Sequence, residues 1–287
     1  MNWVDTIVQG ILLGGLFALF AMGLAVIYGV MRLINIAHGD FVVLGAYLML
    51  SIALTAHLSP FAAAAIVVVL FAVLGYVLQR TILDRALGGD LLAPLVVTYG
   101  LSVIIENGLQ QAYSADSHSL QIGALETASV HFGPIAVGIM PLLVFGVALA
   151  VAVGLELLFN ATPLGMAFRA TSDDRATARL MGVRDFQLYG YAAAISLGVT
   201  ALASFFMGVK YTFTPTLGPS FLLYAFEAIV IGGMGSFWGT FTGAVILGVA
   251  QTIGFAIDPG WGILTGHLVF LAVLVVRPQG LFPKVVA

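Results

Sequence analysis

Cysteine is absent from this 287-residue chain, and charged residues are scarce. The absence of cysteine excludes disulfides, thiol nucleophiles and cysteine-ligated metal sites. Charged residues make up 8% of the chain, whereas an ordinary soluble domain has about 25%. The 10 lysines and arginines are fewer than the 13 acids and form no dense run, which excludes a basic nucleic-acid footprint. With 61% hydrophobic residues, the composition predicts an integral membrane protein.

Motifs for binding nucleotide phosphates and for hydrolysis are also missing. No GxxxxGK(S/T), HExxH or GxSxG pattern occurs, so we expect no ATPase site, no catalytic residue and no cofactor in this chain. The five histidines are scattered along the sequence. His38 and Asp40 are close in sequence but lack a third ligand, so we expect no metal site.

Apolar runs of roughly 20 residues, the length that crosses a bilayer core of ~30 Å, recur along the chain. We therefore predict an all-α polytopic membrane protein with about eight or nine transmembrane helices. We expect residues 1–287 to form a single transmembrane domain. Three of the runs, 41–57, 220–235 and 262–276, are weak and are candidates for short, broken or re-entrant helices. The full set of candidate spans is 6–30, 41–57, 61–79, 91–112, 135–159, 187–208, 220–235, 240–257 and 262–276.

Lysine and arginine are unevenly distributed between the loops. With nine spans, only Lys210 falls on one side of the membrane, and cytoplasmic loops are the ones that retain basic residues. We therefore expect the N-terminus and the loop 113–134 outside, and the C-terminus in the cytoplasm. The residues on the cytoplasmic side are Arg32, Arg80, Arg85, Arg169, Arg175, Arg179, Arg184, Arg277 and Lys284.

Glycine is abundant and is often spaced by four residues. Gly10 with Gly14 is typical of close helix packing in lipid. Gly232, Gly233 and Gly235 are too dense for an undisturbed helix, and they predict a bend between the seventh and eighth spans.

Two of the predicted spans carry an acid with polar neighbours. Glu106 lies beside Asn107 and one turn from Gln110, and Glu227 lies one turn from Tyr224. An acid at mid-membrane costs about 2.5–3.5 kcal/mol on insertion scales, so each should face protein or water. These five residues are candidates for a translocation pathway. Hydrogen bonding between helices explains them equally well.

A polar island, residues 160–189, interrupts the apolar sequence. Thr162 and Pro163 predict a helix start, and Thr171 with Asp174 has the capping-box spacing, so we expect a second short helix over 172–181. Gly182 suits the end of that helix. Ala176, Arg179, Leu180 and Val183 recur at the spacing of one helix face. The pattern fits an interfacial helix on lipid headgroups as well as a docking helix for a partner.

Five blocks of sequence resemble the permeases of branched-chain amino-acid ABC importers, and more narrowly their shorter H-type subunit. The resemblance extends over nearly the whole chain, with all blocks in the same order. The blocks are GLAVIYGVMRLINIAHGDFVVLGAY (23–47), LVVTYGLSVIIENGL (95–109), GMAFRATSDDRATARLMGV (165–183), VIGGMGSFWGTFTGAVILG (230–248) and VRPQGLF (276–282).

The resemblance implies a fold, a coupling segment and several partners. It implies a type II importer permease in which the cytoplasmic loop, about 160–186, forms a coupling helix seated in a groove of an ATPase. The implied partners are two ATP-binding cassette ATPases, a second, paralogous permease and a periplasmic solute-binding protein, all at the bacterial inner membrane. The residues carried over to ATPase coupling are Arg169, Ala170, Asp173, Asp174, Arg175, Ala176, Arg179 and Gly182.

The resemblance leaves substrate and mechanism partly open. Glu106 stands where many relatives have a neutral residue such as glutamine, and the wider family includes importers of urea, amides and aromatic acids. An ion-coupled secondary carrier that uses Glu106 and Glu227 as proton sites is the alternative function. A membrane-embedded enzyme is the weakest hypothesis, since no nucleophile–base pair is present.

Overall fold

The computed structural model describes residues 3–87, 92–132 and 135–282, most of them helical. The helices are α1 (Trp3–Met31), α2 (His38–Thr55), α3 (Pro60–Leu78), α4 (Asp84–Ala86), α5 (Leu92–Tyr113), α6 (Ile139–Ala161), α7 (Pro163–Asp173), α8 (Arg175–Leu180), α9 (Asp185–Lys210), α10 (Gly218–Gly232), α11 (Phe237–Ile257) and α12 (Gly262–Val276). A π-helix, Gln79–Leu83, joins α3 to α4, and 3-10 turns occupy Gly123–Leu125 and Pro215–Leu217.

Eight helical segments of the described chain are long and apolar enough to cross a membrane. They are α1, α2, the continuous segment Pro60–Ala86, α5, α6, α9, Pro215–Gly232 and α11, while α12 has 15 residues and is shorter. Each of the nine apolar runs predicted from the sequence contains a helix. The all-α polytopic prediction is therefore confirmed, because apolar runs of this length satisfy their backbone groups within a helix.

A β-hairpin replaces the predicted start of the fifth span. Strands β1 (Ser129–Phe132) and β2 (Ile135–Gly138) pair antiparallel, from Ser129 opposite Gly138 to Phe132 opposite Ile135. The helix predicted from 135 begins instead at Ile139. Hydropathy does not distinguish a short apolar strand from the first turn of an apolar helix, which is why the boundary was wrong.

The predicted glycine bend is confirmed. α10 ends at Gly232, and Gly233 and Gly235 have φ angles of +106° and +97°, which side-chain-bearing residues rarely adopt. Ser236 then caps α11 by accepting a hydrogen bond from the N–H of Gly239 at 3.0 Å. The span predicted over 220–235 is therefore three residues too long, because Gly233 stops the helix.

The described residues fall into two compact units. The first unit comprises 1–22, 121–153 and 224–287. In it, Gly10 and Gly14 of α1 press against α11: a Cβ added to either would lie 2.5–2.6 Å from the Cα of Val249 or Val245. The predicted glycine packing is thus present, and α1 and α11 approach backbone to backbone.

The second unit comprises 23–120 and 154–223, and α9 lies at its centre, packed on α2 and α3. Gly75 of α3 meets the backbone of Ala193, and Gly45 of α2 meets Ser204. Three buried hydroxyls line α9. Ser196 donates to the carbonyl of Gly23 at 2.7 Å, and Thr200 and Ser204 donate to carbonyls four residues back. These bonds satisfy the polar groups inside an apolar bundle.

Candidate functional site

The polar island contains two helices, and the first begins as predicted. The hydroxyl of Thr162 accepts a hydrogen bond from the N–H of Gly165 at 3.1 Å, and Pro163 occupies the first helical position of α7. Gly165 lies against the backbone of Leu158 and Phe159 at the end of α6, where any side chain would clash. The entry to the island is therefore a tight corner between α6 and α7.

A chain of polar side chains also ties α7 to α6. The Nη1 group of Arg169 donates to Asn160 Oδ1 at 2.9 Å, and Asn160 Nδ2 donates to Glu156 Oε1 at 2.6 Å. Both hydrogen bonds are exposed to solvent. Exposed pairs of this kind are typically worth less than about 1 kcal/mol, so this link is weak.

The second helix begins later than the capping-box spacing predicted. Thr171 stays inside α7, where its hydroxyl donates to the carbonyl of Ala167 at 2.8 Å. Asp174 is the cap of α8, since its Oδ1 accepts from the N–H groups of Ala176 and Thr177 at 2.9 and 3.2 Å. The helix predicted over 172–181 is thus the six-residue α8, because an extended aspartate satisfies the free N–H groups better than a helical threonine.

The carboxylate of Asp174 is stabilised in its charged form. Hydrogen bonds from the Thr177 hydroxyl and from backbone N–H groups lower the pKa of Asp174 below its ordinary value. A lowered pKa means that the cap contributes stability above the ordinary aspartate pKa and loses it as pH falls through the lowered value. The carboxylate that caps α8 therefore stays charged at neutral pH.

Gly182 ends α8 as the sequence predicted. Its φ is +85°, its N–H donates to the carbonyl of Arg179, and the N–H of Val183 donates to the carbonyl of Ala178. These two bonds form a Schellman motif, which requires a left-handed residue at the position of Gly182. The motif turns the chain back toward the start of α9.

Asp185, the first residue of α9, accepts hydrogen bonds from two arginines of α8. Its Oδ2 lies 2.5 Å from Arg175 Nε, 3.0 Å from Arg179 Nε and 2.7 Å from Arg179 Nη2. The Asp185 side chain is 4% exposed. The guanidinium of Arg175 also lies over the rings of Phe186 and Tyr189, at 5.5 and 5.2 Å. A nearly buried, doubly paired carboxylate therefore binds α8 to α9.

Apolar side chains at the end of α8 remain exposed. Leu180 is 87% exposed and Met181 is 81% exposed, and Met166 of α7 is 54% exposed. Among the residues carried over to ATPase coupling, Ala170, Asp173, Ala176 and Gly182 are also exposed. Arg175 and Arg179 bond to Asp185 while their side chains stay 33% and 47% exposed, and Asp174 caps α8, so a coupling role for these residues stays a prediction. The sequence pattern placed Leu180 on the periodic face of this helix but did not include Met181. Periodicity alone could not tell whether that face contacts lipid or protein.

A shallow cleft adjoins the end of α8. It lies between α7, the turn at Gly182 and the start of α9, and it adds concave surface beside the exposed apolar side chains. Its lining residues are Ala167, Gly182, Val183, Arg184, Gln187, Leu188 and Tyr191.

The first three pathway candidates lie on α5, in the second unit. Asn107 and Gln110 are exposed and Glu106 is half-buried. The amide of Asn107 donates to the carbonyl of Val103 in its own helix at 2.8 Å. α5 therefore presents polar side chains outward along a segment long enough to cross a membrane.

Asp40, which the sequence offered only as a rejected metal ligand, lies near Glu106. It is 2% exposed, and Ser102 and Glu106 of α5 are its neighbours. Gly218 packs on its Oδ1 so closely that no side chain would fit there. The signal in the sequence was an acid in the first turn of α2, but its partner on α5 is about 60 residues away, beyond the reach of local patterns.

The other two candidates, Tyr224 and Glu227, lie on α10 in the first unit. Glu227 is 1% exposed, and its Oε1 lies 2.5 Å from Nδ1 of His267 on α12. The ring of Tyr224 contacts that of Phe17 in a tilted arrangement, with ring centroids 5.0 Å apart. The inter-helix hydrogen bond that we kept as an alternative is thus present at Glu227, and a place for either residue in a pathway stays a prediction.

Residues 6–276 match the family described as branched-chain amino acid transport system, permease component. The chain belongs to this family. The match covers all nine apolar helices and the island between α6 and α9. A permease of this family is a multi-pass membrane subunit that works with ATPase and other subunits, and membership supports the ABC importer over the ion-coupled carrier.

Named relatives match the permease over almost its whole length. It is 30% identical to the high-affinity branched-chain amino acid transport system permease protein BraD of Pseudomonas aeruginosa, covering 99% of this chain and 96% of that protein. It is 24% identical, with the same coverage, to the permease protein LivH of Escherichia coli K12. Among solved structures, PsaBC from Streptococcus pneumoniae in complex with Fab matches 97% of this chain and 93% of its own with a TM-score of 0.53. At 13% identity, that likeness concerns the fold alone.

Proposed function

We propose that the chain is the H-type permease subunit of an importer that moves branched-chain amino acids into the cytoplasm, with ATP hydrolysed by partner subunits. BraD and LivH, which match nearly the full chain, are both named for branched-chain amino acid transport. The whole of 1–287 serves as one permease domain without an ATPase site of its own, and it requires no metal or cofactor.

The observation that carries the proposal is the exposed end of the island. Helices α7 and α8 stand between two spanning helices and leave Leu180 and Met181 almost fully exposed. Exposed apolar side chains of this kind, next to charged residues, suit a groove in a protein partner. We assign this surface, together with Ala170, Asp173 and Ala176, to an ATPase subunit. Two ATPases complete the importer, one for each permease.

The polar outward face of α5 supports a second permease partner. Amide and carboxylate groups in a spanning helix require protein or water around them. A paralogous permease packed nearby would supply protein contacts, and a pathway enclosed between the two permeases would supply water. The polar groups that would then be satisfied are those of Glu106, Asn107 and Gln110. Tyr224 and Glu227 are the remaining pathway candidates, although Glu227 already has a protein partner in His267. A periplasmic solute-binding protein would deliver the amino acid.

The proposed location is the bacterial inner membrane, with the N-terminus in the periplasm. The basic residues of the island and of the C-terminal segment support a cytoplasmic position for both. The loop 113–134 then faces the periplasm, where it is available to the solute-binding protein.

Uptake of radiolabelled leucine into proteoliposomes tests the function. The vesicles hold the permease with its partner subunits, ATP inside and the solute-binding protein outside. We expect uptake that requires ATP and persists when the proton gradient is collapsed. Uptake driven by a proton gradient without ATP would contradict the proposal, and transport of urea or an aromatic acid in place of leucine would correct the substrate.

Leu180→Asp tests the docking surface. The change places a charge in the apolar contact, where an unpaired buried charge costs several kcal/mol, so the ATPase should no longer copurify with the permease. Leu125→Asp is the matched control, because Leu125 is an exposed leucine of the loop 113–134. Equal ATPase recovery with both variants would show that the ATPase binds elsewhere.

A further inference from the structure

The island is attached to the spanning helices by two unequal links. The α6–α7 link runs through the exposed side chains of Glu156, Asn160 and Arg169. The α8–α9 link runs through Asp185, whose nearly buried carboxylate accepts three hydrogen bonds from Arg175 and Arg179. Charge-assisted bonds to a buried acceptor hold their geometry better than solvated ones. Of these two polar links, the one between α8 and α9 is therefore the better buried and the better fixed in geometry.

The connection between α7 and α8 is short and extended. Asp174 alone separates the two helices, with φ −147° and ψ 101°. A single extended residue between two helices permits a change of angle without breaking either one. Together with the firm α8–α9 link, this geometry makes α8 and the start of α9 one mechanical element.

α9 extends from that element into the core of the second unit. Tyr189, one turn after Asp185, is buried. Two turns further along α9, the buried hydroxyl of Ser196 donates a hydrogen bond to the carbonyl of Gly23. Packed helices move as rigid bodies because their interiors do not compress. A push on α8 would therefore shift α9 along its length.

We infer that Asp185 is the positioning residue that transmits movement of an ATPase-docked α8 to the spanning helix α9. The inference rests on the proposed function, because it requires that α8 be the docking helix. It assigns Arg175 and Arg179 to a link within the permease, in place of the direct ATPase contact carried over from the family resemblance.

Asp185→Asn tests the link in the reconstituted complex. Asparagine keeps the shape and one oxygen acceptor but removes the charge that both guanidiniums need. We expect the ATPases to copurify normally and to hydrolyse ATP, while leucine transported per ATP falls several-fold. Asp185→Glu, which keeps the charge, should restore part of the ratio. A purely structural role would lower the yield of the complex and leave the ratio of the remaining complex unchanged.

Asp84→Asn is the matched control. Asp84 is also a nearly buried aspartate paired with an arginine, but its partners, Arg80 and Gln79, lie in the same continuous helical segment. Removing its charge breaks no link between the island and a spanning helix. Leucine transported per ATP should stay at the wild-type value.

Arg175→Gln supplies a milder variant in case Asp185→Asn does not assemble. It leaves both bonds from Arg179 in place, so the loss should be smaller than with Asp185→Asn. Combining Arg175→Gln with Asp185→Asn should lower the ratio no further than Asp185→Asn alone, because Asp185→Asn already removes the ion pair that Arg175→Gln removes. A wild-type ratio for Arg175→Gln in a complex where Asp185→Asn fails to assemble would overturn the inference.

The outcomes separate the inference from the proposed function. If Leu180→Asp releases the ATPase but Asp185→Asn transports normally, docking stands and the Asp185 link is wrong. If Leu180→Asp retains the ATPase, the docking surface itself is wrong. If Asp185→Asn yields a permease with wild-type thermal stability that no longer retains the ATPase, the two arginines contribute to docking and the inference is overturned; if the Asp185→Asn permease itself is unstable, Arg175→Gln decides.

Discussion

Two glutamates in spanning helices, Glu106 on α5 and Glu227 on α10, have opposite surroundings. Glu227 is 1% exposed and bonded to His267, whereas Glu106 is half-buried on a helix whose polar side chains face outward. In sequence the two look alike, since each is a single acid in an apolar run with a polar residue one turn away. The same residue type therefore forms a buried hydrogen bond between helices at Glu227 and keeps a partly exposed carboxylate at Glu106.

The difference shows what a buried partner does to an intramembrane acid. The hydrogen bond between His267 and Glu227 Oε1 joins α12 to α10. The second carboxylate oxygen of Glu227, Oε2, has no hydrogen-bond partner among the described residues. Glu106 lies near a second acid, Asp40, on the neighbouring α2. The carboxylate of Glu106 is thus more accessible to a passing solute than that of Glu227, which stays a pathway candidate.

The largest effect on stability is expected for His267→Leu. Losing the imidazole leaves both oxygens of Glu227 without a described partner, and an unsatisfied buried group costs about 1–3 kcal/mol. Thermal unfolding of the purified permease in detergent should show a clear loss of stability.

The double variant Glu227→Leu with His267→Leu is the control for that prediction. It removes the orphaned carboxylate together with its partner, and replacing both partners with apolar groups is nearly neutral. Stability should recover to near wild type. If the double variant is as unstable as His267→Leu, packing around the histidine matters more than the hydrogen bond. The description of Glu227 as an acid stabilised by its bond to His267 would then be wrong.

Glu106→Gln should have a smaller effect on stability and a larger one on transport. Glutamine keeps most of any inter-helix hydrogen bond, and such bonds average ~0.6 kcal/mol in membranes. If the carboxylate faces the pathway, leucine uptake and its dependence on pH across the acidic to neutral range should both change, because the titratable group is gone. Uptake and the yield of assembled complex are measured together. Wild-type uptake at every pH would remove Glu106 from the pathway.

Asn107→Val is expected to have the smallest effect on stability. The Asn107 amide is bonded to the carbonyl of Val103 within its own helix, so its loss removes no tie between helices. Thermal unfolding should stay within ~0.6 kcal/mol of wild type. Assembly with the second permease should also persist. A marked loss of assembly would show that Asn107 contacts the partner and would sharpen the assignment of the outward face of α5.

Much of the fold was predictable from the sequence because it depends on local rules. Apolar runs long enough for a bilayer predicted every spanning helix, and Thr162–Pro163 and Gly182 predicted where the island helices begin and end. Caps and positive-φ turns involve residues within about four positions of each other, so they are visible in sequence. The predicted start of α8 was wrong because Thr171 and Asp174 are both suitable N-cap residues. Their backbone angles decide which of them caps the helix, and those angles are not visible in the sequence.

By itself, the sequence determined that this chain is a helical membrane permease with one charged island, because composition and block order require no knowledge of long-range contacts. Tertiary structure alone decided how the polar residues are used. Glu227 bonds to a histidine 40 residues away, and Asp40 meets Ser102 on another helix. The Schellman turn at Gly182 brings Arg175 and Arg179 back onto Asp185. Such pairings depend on which helices pack together and at which residues they cross. Hydropathy and periodicity describe each helix separately, so they cannot predict these contacts.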